Sequence, residues 1–164
     1  MLFRSGHIFL FSPDYRPLGS WGAPGSEPGQ LTRVTGIAEA PSGDLVVTCA
    51  STRLAVQIFT REGTFLRGFG KHDLGPGTFS FPSGVAITAD GRIWVSDEIR
   101  HQVSVFDFAG KFLSSVGSWG EGPGEFAYPS AVATDGGSFL VVAERVGARF
   151  QLFAIPDSER RPEQ

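Results

Sequence analysis

Asp97, Glu144 and His101 are the residues of this sequence whose types could support acid–base or metal chemistry. Brought together at one rim, two carboxylates and an imidazole would begin a divalent-metal site of the kind a lyase or hydrolase uses. A catalytic zinc site takes three protein ligands, mostly His, and the whole chain has three histidines. Cys49 and His101 stand at nearby positions of successive similar stretches, which is what a Cys–His nucleophile pair would need. A lone Cys at a strand end is more commonly a small buried hydrophobe. A single cysteine also allows no intramolecular disulfide and no thiolate cluster. The two Gly-Pro-Gly runs, Gly75-Pro76-Gly77 and Gly122-Pro123-Gly124, lack the Lys-Ser/Thr ending of a phosphate loop, and no helical pattern follows them. These residues assign no catalytic group, no cofactor and no metal.

The elements that carry them repeat. Phe11, Phe59, Phe106 and Phe153 each close a short apolar run, and they lie 48, 47 and 47 residues apart. Gly36, Gly84 and Ala131 keep the same period, 48 and 47 residues, and each is followed by Ile or Val and then Ala. Each unit has one internal order. An apolar segment such as Ser83-Gly84-Val85-Ala86-Ile87 leads to a glycine turn, Ala89-Asp90-Gly91-Arg92, suited to a tight hairpin. A branched run follows, Ile93-Trp94-Val95-Ser96, then a loop, the run that ends in phenylalanine, and a second glycine turn. A segment like Lys111-Phe112-Leu113 and a Gly/Pro-rich connector complete the unit. Four short antiparallel strands per unit, with no sustained helical period, predict an all-β propeller rather than a sandwich, which would not repeat its sequence.

The run Gly75-Pro76-Gly77-Thr78-Phe79-Ser80-Phe81-Pro82-Ser83-Gly84-Val85-Ala86, continued by Gly91 to Asp97 and His101 to Asp107, resembles an NHL repeat. The opening recurs from Gly122 to Ala133. The resemblance extends from about Ile8 to Phe153, with repeats at about 30–70, 78–117 and 125–153 and a partial blade at 8–22. Segment 1–155 reads as the propeller and 156–164 as a polar tail. The sequence departs from the family at Arg100, where the name-giving Asn usually stands, at Cys49 in place of the acid seen at Asp97 and Glu144, and at Gly147-Ala148. No shared recognition signature can therefore be copied across. The resemblance implies a six-bladed ring, of which this chain supplies about three to three and a half blades. An open arc would expose apolar faces and strand edges, so the sequence is expected to be part of a longer chain or to close its ring as a homodimer.

In such a fold the loops between second and third strands share one face with the blade connectors. The first set contains Arg53, Arg100, His101, Arg145 and Arg149, and the second contributes Arg33, Lys71 and His72. Cations gathered on one rim of a chain with net charge −3 suggest a patch for an anionic partner. The plainer alternative ties them to carboxylates such as Glu98 and Glu144. Trp21, Trp119 and Tyr128 lie in or beside connectors, and the two tryptophans are expected to pack between blades. The expected function is a non-catalytic binding scaffold for a protein partner. The alternatives are RNA, which some NHL domains bind, or a metal-dependent lyase or hydrolase on the same fold. No run reaches the ~18 apolar residues of a membrane-spanning helix, and the first residues lack the apolar core of a secretion signal. The default location is therefore cytoplasmic.

Overall fold

The chain's structure, a computed structural model, describes residues 6–155; the expected polar tail at 156–164 lies outside the described residues. The strands are β1 (Ile8–Phe11) and β2 (Pro17–Trp21), then β3 (Val34–Glu39), β4 (Leu45–Cys49), β5 (Val56–Phe59) and β6 (Phe65–Phe69). The next sheet has β7 (Pro82–Ile87), β8 (Ile93–Asp97), β9 (Gln102–Phe106) and β10 (Phe112–Val116), and the last has β11 (Pro129–Thr134), β12 (Phe139–Glu144) and β13 (Phe150–Ala154). Each group is one antiparallel sheet ordered as in the chain, so the described residues form blades of two, four, four and three strands. No helix among the described residues is long and apolar enough to cross a membrane.

Burial follows from a blade's neighbours rather than from its own sequence. β4, β5 and β8 are buried along their whole length because their sheets are covered on both faces. β12 and β13 carry the same kind of residues, yet their burial alternates, since their sheet is covered on one face only. Phe150 and Leu152 are therefore exposed on the far side of the last blade, as Phe9 and Phe11 are at the opposite end of the arc. The repeated phenylalanines show the same gradient. Phe59 and Phe106 are buried, Phe153 is half-buried, and Phe11 is exposed.

The inner strands β3, β7 and β11 each carry a bulge at one place, between Val34 and Gly36, Pro82 and Gly84, and Pro129 and Ala131. The extra residue turns its side chain toward the next blade. Thr35 Oγ1 donates to the Pro82 carbonyl at 2.7 Å, and Ser83 Oγ donates to the Pro129 carbonyl at 2.7 Å. Ser130, at the same position in the last blade, donates to Ala143 within its own sheet. These inter-blade bonds need close backbones. A Cβ on Gly84 would lie 3.0 Å from Ala131 Cα, which explains glycine in this part of the repeat.

Candidate functional site

Three connectors, at 22–33, 70–81 and 117–128, run from an outer strand to the next inner strand. Each folds on itself through a parallel bridge: Pro24 with Leu31, His72 with Phe79, and Trp119 with Phe126. Leu31, Phe79 and Phe126 are plugs, at most 1% exposed, inserted among the repeated phenylalanines. The connectors therefore rest on the core, and their opposite sides, with the loops between second and third strands, form one face of the arc.

Most of the expected rim cations hold this face together. Arg100 donates to the carbonyls of Asp73, of Gly75 at 2.8 Å and of Thr78 at 2.9 Å. Arg149 donates to the carbonyls of Glu121 and of Glu125 at 2.8 Å, and to the Glu144 carboxylate at 2.7 Å. Arg145 pairs with Glu98, which is almost buried, and lies over the Tyr128 ring at 5.3 Å. Arg33 lies over Phe81 at 5.1 Å. Arg53 pairs with Glu27 at 3.1 Å, with both side chains more than half exposed. Lys71 and His72 are exposed.

Gln57 and Gln151 were not singled out in the sequence, yet they perform the same service. Gln57 donates to the Gln30 carbonyl at 2.8 Å and accepts the Gly29 N–H at 2.7 Å. Gln151 donates to Glu125 O at 2.7 Å and accepts the Gly124 N–H at 2.9 Å. The intervening repeat has Ser104 there, too short to reach, and Arg100 takes over. The signal was a Gln, Ser, Gln series at one repeat position.

The candidate acid–base residues do not converge. The buried Asp97 carboxylate accepts four backbone N–H groups, from Ser80, Phe81, Ile99 and Arg100, at 2.6–3.1 Å. Glu144 faces its own connector, accepting the Ala127 N–H at 2.7 Å besides Arg149. Burial raises the Glu144 pKa, but the Arg149 and Ala127 hydrogen bonds, with Gln151, outweigh it and hold the carboxyl below its ordinary range. Cys49 is buried beside Leu31, Val47 and Phe59, and burial pushes its thiol up, away from the reactive thiolate. His101 accepts the Tyr128 N–H on Nδ1 at 3.2 Å, so that nitrogen presents its lone pair to the backbone.

His101 also anchors an aromatic cluster. Its ring lies 4.5 Å from Trp119 and 4.8 Å from Tyr128, edge to face, and the two larger rings are 5.6 Å apart. His101 and Tyr128 both adopt left-handed backbone, with φ of 56° and 59°, which is uncommon for residues with a Cβ. Trp21 packs between blades against Phe59, as expected, with Nε1–H donating to Arg61 O at 3.1 Å. Trp119 does not: it is 59% exposed, because Phe126 fills the inter-blade space in its place. Leu74, Ile99 and Val146 are exposed in the neighbouring loops of the same face.

The DUF5128 family, a six-bladed β-propeller, matches residues 82–144. RING finger protein nhl-1 of Caenorhabditis elegans is 38% identical over 82 residues, half of this chain and 8% of that protein. Among solved structures, a gluconolactonase from Xanthomonas campestris superposes with a TM-score of 0.63 at 19% identity, covering 94% of this chain and 46% of its own. A catalytically inactive virginiamycin B lyase from Staphylococcus aureus with quinupristin gives a TM-score of 0.60 at 16% identity, covering 93% and 50%. The chain thus spans half or less of the length of these proteins. The two enzymes share its fold, and at such identity the likeness extends no further. Repeat period, blade topology and both sequence matches agree: the chain is a stretch of four-stranded β-propeller blades whose repeats are similar to those of an NHL-repeat protein.

Proposed function

We propose that this chain is a non-catalytic binding scaffold that presents its connector face to a protein partner. One observation carries the reading: Leu74, Ile99, Trp119 and Val146, from connectors and loops of two adjacent blades, are all exposed on that face beside Tyr128 and Arg145. An exposed Trp and Arg beside a half-buried Tyr, amid aliphatic side chains, make the composition of a protein-binding hot spot. The connectors beneath them are tied to the core, so little ordering is lost on binding. The acids and the imidazole that could do chemistry are engaged with connector backbone, which favours binding over catalysis.

Affinity capture with two double variants tests the proposal. Trp119→Ala with Arg145→Glu is expected to lose the proteins that the wild type retains, at least about tenfold in affinity if the pair forms a hot spot. Glu62→Lys with Lys111→Glu, in hairpin turns of the opposite face, is expected to retain them. Equal capture by the wild type and the first variant would contradict the proposal.

A further inference from the structure

The rim cations differ in what they have left to offer. Arg100 has its donors on three connector carbonyls, Arg149 on two carbonyls and Glu144, and Arg145 on Glu98. At the first-blade end the balance is reversed. A cleft of about 800 Å³ lies between connector residues Ser26 and Pro28, the loop carrying Arg53, and Lys71 with His72. The Lys71 ammonium and the His72 ring carry no hydrogen bond or ion pair with any described residue. Arg53 has Glu27 as its side-chain partner, at 71% and 58% exposure. A pair so exposed contributes about 0–1 kcal/mol and yields readily to a competing carboxylate.

We propose that this cleft takes the carboxylates of an acidic peptide segment, a proposal that rests on the reading of the connector face as a protein-binding surface. Arg53 and Lys71 bring two positive charges to a lining that holds no carboxylate, with Glu27 and Asp73 beside it, on a chain whose net charge is −3. Such a local reversal of sign selects for a short anionic segment. Hydroxyls of Ser26 and Ser51 line the cleft and can donate to the same carboxylates, while Leu54 and Pro28 offer apolar contact for the peptide's methylenes. A single-stranded nucleic acid would want rings on which to stack its bases. The exposed Trp119 belongs to a different connector, and the imidazole of His72 is the one aromatic ring in this lining.

Fluorescence anisotropy on the whole chain at low salt, with a labelled peptide of alternating Glu and Ser and its Gln counterpart, tests this. The Glu peptide is expected to bind at least about tenfold more tightly than the Gln peptide, and Arg53→Glu with Lys71→Glu to abolish the difference. Both positions are exposed, so the double variant is expected to keep the wild-type unfolding midpoint. Lys111→Glu, on the opposite face, is expected to bind the Glu peptide as the wild type does. Equal binding of the two peptides, undiminished binding by the double variant, or tighter binding of an oligouridylate would overturn the proposal. If this failed while Trp119→Ala with Arg145→Glu still lost its captured proteins, the scaffold reading would stand without the acidic cleft.

Discussion

Replacing Phe106 by alanine is expected to lower the stability of this protein by about 3–5 kcal/mol. The side chain is 1% exposed and meets three structural layers at once. Its ring lies 4.8 Å from Phe69 at the edge of the preceding blade, 5.7 Å from the connector plug Phe79, and 5.7 Å from Phe112 on its own outer strand. Truncation would open a cavity where two blades and a connector join, and none of the three can collapse into it without moving the others. Urea denaturation reads the loss directly. Phe150→Ala is the control, because that ring, although in the same class of strand, is 73% exposed and its loss is expected to change the midpoint little. An unchanged midpoint for Phe106→Ala would mean that the blade packing is wrong.

Glu144→Gln is expected to cost about 2–4 kcal/mol at neutral pH, below the full cost of breaking a buried pair because Arg149 keeps partial contact with water. The glutamate side chain is inaccessible, while Arg149 is 30% exposed. The carboxylate joins the last blade to its connector through Arg149 Nε at 2.7 Å, the Ala127 N–H at 2.7 Å and Gln151 at 3.0 Å. An amide keeps one acceptor but leaves the guanidinium without its hydrogen-bonded carboxylate, with Glu121 and Glu125 as the remaining negative charges that act on it. The pH dependence has a definite sign. The folded pKa lies below the ordinary value, so the stabilisation is present above the unfolded pKa of about 4.3 and is lost as pH falls through the folded one. Urea midpoints should therefore fall for the wild type below about pH 4.5, with a smaller fall for Glu144→Gln. Parallel pH profiles for the two would rule out this carboxylate as a source of acid lability.

Strand positions were legible because a strand is a local pattern. Branched runs bounded by glycine turns, repeated at one period, gave the order β3 to β13 and the two-stranded start. The ties of Arg145 to Glu98 and of Arg149 to Glu144 were legible as the plainer alternative, but the reach of loop arginines to connector carbonyls was not. Arg100 and Arg149 look like rim charges by position, but a guanidinium reaches several ångströms from its Cα, and here the nearest acceptors are connector carbonyls. Trp119 misled for a related reason. Either it or Phe126 could fill the space between blades, and the connector's turn decides which, through a bridge that pattern does not encode. Sequence comparison within the chain could still have found the Gln57 and Gln151 hooks, since they occupy one repeat position.

Hydrogen exchange on the protein with and without a captured partner tests whether the connector face is the binding surface. New protection is expected in the loops around 72–80, 98–102, 117–128 and 145–148, with the hairpin turns at 41–44, 61–64, 89–92 and 108–111 unchanged. Protection confined to those turns would place the partner on the opposite face and overturn the connector face as the binding surface.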